Sequence, residues 1–546
     1  MSKDKSISGL DGILEELGPF GRYNIVNYAL LLFPCFLAGM YGSAFVFEAE
    51  DIDYRCNVVE CENTNDTKWL EYAIPKEKNG FSKCNRYAFN ENITVSGTCT
   101  ADMFDNSRIQ QCTSYVHADG VTAITDFNLF CQDFKRTIIG TVRNSGLFIS
   151  LPLTGILSDK FGRKLALSVT SLLNCICGIL RSFSTSYEMM VVFAFLEAAL
   201  GAGSYTTAFV LAMELVGPKG RVFGNTLINI VFVFGLMSLA GLSWALQSWR
   251  TLLRVMYAPA CLVFSYLWIL NESVRWLLSK GRHNEAVVIL KKAAKMNNVQ
   301  LSEELLTPLH ELDRLKPKDA KDDKDDFLEG TVENKTPVFL QAIRSSIIRK
   351  RLLTCSFLWI TCTFVYYGLS INSVSLPGFN KYTNFMLVAF VEIPANFCCL
   401  FVLDRFGRKR VLIVTYLLSA LLCISLSFIS KELTTLSLIV YLFGKFSITV
   451  AYSSVYIYVS EVFPTNVRQS LLAICSATGR VGSALAPLSP MLAKLYEKLP
   501  VIFFGSLAVA AGLLVFTLPE TINVPLPDSI EEAERLAREK DVKNIA

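Results

Sequence analysis

Gly155-Ile-Leu-Ser-Asp159-Lys-Phe-Gly162-Arg163-Lys164 decides how this chain is read, because its second part returns as Asp404-Arg-Phe-Gly407-Arg408-Lys409. Each copy lies between two apolar runs. A second pair of turns follows, Glu214-Leu-Val-Gly-Pro-Lys-Gly-Arg221 and Glu461-Val-Phe-Pro-Thr-Asn-Val-Arg468, and a third, Asn271-Glu272-Ser-Val-Arg275 and Pro519-Glu520-Thr521, closes each half. The copies stand 245 (Asp159 to Asp404) to 248 (Glu272 to Glu520) residues apart. A duplicated unit built on charged turns between apolar runs is the sequence pattern of many secondary transporters.

Composition agrees with that pattern. Of 546 residues 52% are apolar and only 18% charged, with mean hydropathy +0.39. The apolar residues gather in runs of about 20, the length that spans a hydrocarbon core about 30 Å thick. We place the first half's runs at 23–46, 136–157, 165–184, 188–210, 222–246 and 252–270. Those of the second half fall at 352–373, 383–403, 411–430, 436–459, 469–493 and 500–518. The expected fold is an all-α membrane protein of twelve spans in two pseudo-symmetric six-helix halves. The first run is too long for a signal peptide and lacks a cleavage site after it. Net charge is +4, and the basic residues sit beside spans without interleaved aromatics, so nucleic acid is not an expected partner.

Residues 47–134 break the pattern. They hold Cys56, Cys61, Cys84, Cys99, Cys112 and Cys131 and the sequons Asn65-Asp-Thr67 and Asn92-Ile-Thr94. Six cysteines in a polar segment after the first span predict an extracellular disulfide-bonded domain with 15 conceivable pairings, glycosylated at Asn65 and Asn92. Zinc ligation is the competing reading, but there is no C-x-x-C pair and only His117 nearby. Lys160, Arg163, Lys164, Lys219, Arg221, Arg405, Arg408, Lys409, Arg410 and Arg468 all fall on the side of the N-terminus. The opposite turns (Thr185–Tyr187, Pro377–Lys381, Lys431–Glu432) are short or nearly neutral. The positive-inside rule therefore puts both termini in the cytosol. The expected parts are a cytosolic N-terminus (1–21), a first half (22–275), a cytosolic linker (276–350), a second half (351–520) and a cytosolic tail (521–546). Within the linker, Glu285 to Met296 and Ser302 to Leu315 have helical character, and Lys316 to Asp326 is a mixed-charge run.

The residues resemble a known family. The G-x-x-x-D-x-x-G-R-K turn is similar to that of the major facilitator superfamily. The long Cys-rich first loop, Glu272-Ser-Val-Arg275-Trp276-Leu277 and the Glu461–Arg468 turn resemble the organic cation, organic anion and carnitine transporters, from Leu17-Gly-Pro-Phe-Gly21 to Pro525-Leu-Pro-Asp528. The resemblance implies a plasma-membrane carrier working by alternating access, functional as a monomer, whose turns (Asp159, Gly162, Arg163, Glu214, Arg221 and Asp404, Arg408, Glu461, Arg468) latch the cytosolic ends. In the family the fourth span commonly begins Arg-Phe-Leu-x-Gly; here it reads Ala194-Phe-Leu-Glu197-Ala198, which removes proton coupling through that arginine.

Charges inside spans are costly and mark function. Glu392 lies in Val391-Glu-Ile-Pro394-Ala-Asn396 and Arg480 in Ser476-Ala-Thr-Gly-Arg480-Val-Gly482-Ser483, where small residues leave room beside the guanidinium. Arg480 suits a substrate carboxylate or sulfonate. Glu392 suits an ammonium, or pairs with Arg480 when the site is empty; a permanent Glu–Arg pair is the purely structural reading. Family comparison adds Asn396, where anion carriers usually have Lys, and Tyr366-Tyr367 as anion- or carnitine-like. Tyr366, Tyr367, Tyr452 and Tyr456 offer faces to a quaternary ammonium, against ordinary packing. Lys445 is a further anion-binding candidate, Arg143 a further intramembrane charge, and Glu197 has no evident partner. One buried charge of each sign points to a zwitterion such as carnitine, then to organic anions, then to cations.

No phosphate-binding loop, H-E-x-x-H or G-x-S-x-G is present, and the three histidines, His117, His283 and His310, fall in loops. We expect no enzyme, metal or cofactor: transport is facilitated, or coupled to an ion or exchanged solute. A receptor or scaffold on a transporter fold is the rival from another class.

Overall fold

A computed structural model describes residues 10, 12–18, 20–50, 52–62, 68–77, 80–90, 99–117, 120–300, 338–430, 432–464, 467–522, 532 and 535. The sequons at Asn65 and Asn92, the runs Ser302–Leu315 and Lys316–Asp326, and the tail from Pro525 to Asp528 lie outside these residues. The long helices are α1 Arg22–Glu48, α2 Asp133–Phe161, α3 Arg163–Ser182, α4 Tyr187–Leu215, α5 Pro218–Leu246 and α6 Trp249–Ile269. They continue with α7 Ser346–Asn372, α8 Lys381–Phe406, α9 Arg408–Ser425, α10 Thr434–Val462, α11 Arg468–Leu495 and α12 Leu499–Val515. Among the described residues nine are long and apolar enough to cross a membrane; α2 is more polar, α9 begins Arg408-Lys409-Arg410, and α12 is shorter.

Helices in lipid associate through close packing, which small residues permit. α1 meets α5 at Gly39 and Gly235: a Cβ on the first would stand 2.2 Å from the Phe232 carbonyl oxygen, and one on the second 2.1 Å from that of Phe36. α7 meets α11 in the same way. A Cβ on Gly482 would lie 2.3 Å from the Ile360 carbonyl oxygen, and Thr363 Oγ1 donates to the Gly479 carbonyl at 2.6 Å. The small residues flanking Arg480 thus seat α11 against α7, a correction to the expectation that they make room for the guanidinium.

The repeated turns have a shared construction. Gly162 (φ +107°) and Gly407 (φ +89°) occupy backbone conformations that favour glycine. Each starts a helix whose first N–H groups need acceptors. Glu272 accepts from the amides of Arg163 (2.9 Å) and Lys164 (3.1 Å); Glu520 accepts from those of Arg408 (3.0 Å) and Lys409 (3.3 Å). The third repeated motif therefore supplies the anionic cap to the first, more than a hundred residues earlier. Burial raises the Glu520 carboxyl, but the four backbone N–H donors around it outweigh that and hold it below the usual carboxylate value.

Between α1 and α2 the loop domain departs from the all-α expectation. It pairs Cys56–Cys112, Cys61–Cys99 and Cys84–Cys131. Its strands are β1 Tyr54–Cys56, β2 Lys76–Glu77, β3 Gly80–Phe81, β4 Asn85–Phe89, β5 Phe104–Gln111 and β6 Tyr115–His117, joined antiparallel as β1–β6, β2–β3 and β4–β5. Cross-links stand in for a core too small to hold such short ladders alone. The domain is tied to the bundle where the Val121 amide donates to the Gln247 carbonyl (3.2 Å) and Trp249 Nε1 donates to Asp126 Oδ2 (2.9 Å).

At the opposite face the N-terminal segment is less polar in its packing than in its composition. Leu10, Ile13, Leu14 and Leu17 are buried against Trp276, Leu277, Val287 and Leu290 of the helices Val274–Ser279 and His283–Asn297. His283 begins the second of these helices and is buried, which corrects its placement in a loop.

Candidate functional site

Pro394 cannot donate a backbone hydrogen bond, and α8 is interrupted at Val391, between helical segments Lys381–Phe390 and Glu392–Phe406. Glu392 therefore opens the second segment. Its carboxylate is buried and doubly engaged: Lys445 Nζ lies 2.9 Å from Oε1, and the Tyr366 hydroxyl donates to Oε2 at 2.7 Å. Lys445, fully buried on α10, also donates to Ser370 Oγ (2.8 Å) and the Tyr366 carbonyl (3.1 Å), and its ammonium sits 3.3 Å from the centre of the Tyr366 ring. The expected pairing of Glu392 with Arg480 is thus replaced by one with Lys445, which a single helical register brings beside the broken turn of α8.

Asn396 is spoken for within the protein. Its Nδ2 donates to the Glu392 carbonyl (2.9 Å), and its Oδ1 accepts from Ser453 Oγ (3.1 Å). The tyrosines form one aromatic wall: Tyr366 meets Tyr367 edge-on at 5.1 Å and stacks on Tyr452 at 5.0 Å, and Tyr452 meets Tyr456 at 5.8 Å. Trp359 backs this wall, 4.2 Å from Tyr456.

Arg480 is half-buried on α11 and makes no ion pair among the described residues. Its electrostatic neighbours are the phenols of Tyr367, Tyr452 and Tyr456 from one half of the sequence and Tyr205 from the other. Of the two spans' opposite charges that stand out in the sequence, one is neutralised at 2.9 Å and the other is left uncompensated among aromatic rings. A guanidinium in this setting attracts a planar anion, because it offers forked donors without a competing internal carboxylate.

The turn residues cluster at the face opposite the loop domain. Arg163 reaches Asp159 (2.6 Å) and Glu214 (3.5 Å); Arg408 reaches Asp404 (3.3 Å) and Glu461 (3.2 Å), and Thr521 Oγ1 donates to Glu461 at 2.6 Å. Asp159 and Asp404 are the exposed members, so Glu272 and Glu520, not these aspartates, occupy the helix N-termini. Arg468 donates to the Phe463 carbonyl at 3.3 Å, and Arg221 is half-buried beside its turn.

Glu197, without a partner in the sequence reading, has two. Arg143 donates to it through Nε (3.1 Å) and Nη2 (3.0 Å), and Arg181 through Nη1 (3.3 Å). Arg181 also bonds Glu48. Neither Arg181 nor Glu48 stands out in the sequence, because each ends an apolar run, where a charge ordinarily reaches for water.

Long apolar helices, buried charges and paired charged turns are the features of a multi-pass membrane transporter. The pattern of the sugar (and other) transporter family matches residues 79–533. An organic cation transporter protein of Drosophila melanogaster is 30% identical over 550 residues, covering 97% of this chain and 95% of that one. Solute carrier family 22 member 1 of Bos taurus is 31% identical over 552 residues, covering 98% and 94%. In fold, the chain is similar to the inward-open xylose transporter XylE of E. coli, with TM-score 0.59 over 94% of this chain and 100% of that one at 16% identity. The chain belongs to the sugar and other transporter family of the major facilitator superfamily, in its solute carrier family 22 group.

Proposed function

We propose that this protein carries small organic anions, or zwitterions through their anionic group, across the plasma membrane by alternating access. Twelve spans, α1–α6 and α7–α12, form two halves, with both termini and the repeated turns cytosolic and the disulfide-bonded loop outside, glycosylated at Asn65 and Asn92. The observation that carries the substrate reading is the unequal fate of the two charges: Lys445 pairs with Glu392, whereas Arg480 makes no ion pair among the described residues and is read as the partner of the cargo. That displaces the balance from zwitterions towards anions, since the carboxylate meant for an ammonium is already occupied. The tyrosine wall takes the apolar or aromatic body of the substrate.

Two ion pairs support a state open to the cytosol. Lys381 of α8 pairs with Glu50 just beyond α1, and Lys494 of α11 pairs with Asp133 of α2. Both join the first half to the second on the side of the loop domain, while Arg163–Glu214 and Arg408–Glu461 stay within their own halves and act as latches of the cytosolic ends. Transport is facilitated or driven by a coupled ion or exchanged solute, by a monomer.

The Drosophila relative is named for organic cations, and a cation is the alternative substrate, held by the tyrosine faces against the repulsion of Arg480. The test is uptake of a labelled aromatic carboxylate, carnitine and tetraethylammonium by expressing cells, wild type beside Arg480→Ala. The proposal requires carboxylate uptake that falls in Arg480→Ala. Uptake of tetraethylammonium alone, indifferent to Arg480, overturns it, and flux of none of the three favours a scaffold.

A further inference from the structure

Four charges outside the substrate site are sealed inside the first half. Glu48 ends α1 and Arg181 nearly ends α3, both with fully buried side chains; Arg143 of α2 and Glu197 of α4 are 5% and 1% exposed. Two guanidinium groups and two carboxylates leave the cluster neutral, but four ions are an expensive way to join four helices that glycine and apolar contacts already pack. The carboxylates are not equivalent. Both oxygens of Glu197 receive guanidinium donors, three in all. Glu48 has Arg181 on Oε2 only, and its Oε1 is buried with no hydrogen-bond partner among the described residues. Glu197 also begins a π-helical turn, Glu197–Gly201, the kind of local widening often found at functional sites.

We propose that Glu48 is a proton-binding site that couples proton entry from the loop-domain side to movement of the Arg480 helix. A hydronium ion gives its proton to Oε1: one of its O–H bonds breaks as the carboxyl O–H bond forms, and water is released. The Arg181–Glu48 ion pair becomes a hydrogen bond to a neutral acid, and the cluster goes from net charge zero to +1. Arg181 and Arg143 both keep Glu197 when Glu48 is protonated, whereas protonation of Glu197 would leave Arg143 without a hydrogen-bonded carboxylate, since Glu48 bonds Arg181. The polar groups around the pair are Arg143, Arg181 and Glu197, with the phenols of Tyr257 and Tyr41 and the thiol of Cys177 nearby.

A continuous path leads onward. Arg143 Nη1 donates to Asn144 Oδ1 (3.5 Å), Asn144 Nδ2 donates to the Ser483 carbonyl (2.8 Å) across to the second half, and Ser483 Oγ donates to the Arg480 carbonyl (2.9 Å). The charge state of Glu48 therefore bears on α11, the helix that carries Arg480. The coupling rests on the transport reading; the proton site itself does not.

The test separates the two. Infrared difference spectra of the purified full-length protein, without substrate, are taken on acidification. A protonated-carboxyl carbonyl band present in wild type and in Arg480→Ala, absent in Glu48→Gln and shifted in Glu48→Asp, supports the site. A band unchanged in Glu48→Gln and Glu48→Asp, lost only in Glu197→Gln, or missing from wild type overturns it. Should Glu48→Gln fail to fold, Glu48→Asp alone decides, by whether its band and midpoint differ from wild type. For coupling, carboxylate uptake in wild type varies with external pH by up to about tenfold per unit, the limit for one linked proton, and is flat in Glu48→Gln. The same pH profile in both removes the coupling and leaves the infrared result to judge the site.

Discussion

Replacing Lys445 by Met keeps the length of the side chain and removes its charge, so it isolates the consequence of leaving Glu392 unpaired. In the structure that carboxylate is 3% exposed and has Lys445 at 2.9 Å and the Tyr366 hydroxyl at 2.7 Å. Breaking a buried pair by removing one partner costs about 3–5 kcal/mol, whereas removing both is often near neutral. Against a total stability of about 5–15 kcal/mol, the single variant loses about a fifth or more of its margin. Lys445→Met is expected to unfold at much lower temperature in detergent and to reach the cell surface poorly. Glu392→Gln is milder, because Lys445 retains Ser370 and the Tyr366 carbonyl as acceptors. The double variant Glu392→Gln/Lys445→Met recovers most of the loss, with a coupling of about 3 kcal/mol or more in the cycle, the upper end for residues in contact. Thermal unfolding of the four purified proteins provides the measurement. Additive effects, with the double variant at least as unstable as the two singles combined, refute the claim that these residues neutralise each other. The double variant is also expected to transport the same carboxylate as wild type, since neither residue is free to hold it.

Further outcomes follow from the turns and the faces of the bundle. Gly407→Ala puts a Cβ at positive φ and 2.8 Å from Glu520 Oε2, and is expected to destabilise the purified protein by about 1–3 kcal/mol; Gly155→Ala, where no atom lies within 4 Å, is expected to be harmless. The Glu520 carboxyl is depressed below its ordinary 4.5, so its contribution is full above that pH and is lost as pH falls through the folded-state value. Melting temperatures of wild type and Glu520→Gln should differ at neutral pH and converge below about 4.5. Exchanging the charges of the ion pair joining α1 to α8, Glu50→Lys with Lys381→Glu, is expected to restore uptake lost in Glu50→Lys alone, as read in expressing cells.

The long helices and the paired turns were legible because span length and the spacing of the turns are written into apolar runs and glycines. The loop's strands were not, since short ladders held by cross-links leave no periodicity to find. The identity of charge partners was the least legible. Lys445 and Glu392 are 53 residues apart in sequence and meet beside the interruption of α8 at Val391. Arg181 and Glu48 each end an apolar run, where a charge ordinarily reaches for water, and helix packing turns them inward. Glu272 and Glu520, by contrast, were visible as a repeated motif, but their role as remote helix caps depends on a return of the chain that no local pattern encodes.

Arg480 is the intramembrane charge proposed to hold the cargo. Equilibrium binding of an aromatic carboxylate and of its neutral amide to the purified protein, wild type beside Arg480→Ala, tests this most directly. A charged hydrogen bond contributes about 1.5–3 kcal/mol, so carboxylate affinity should fall about 10- to 150-fold, with the weaker amide unaffected. Equal carboxylate affinity in the two proteins, or an equal loss for carboxylate and amide, contradicts it.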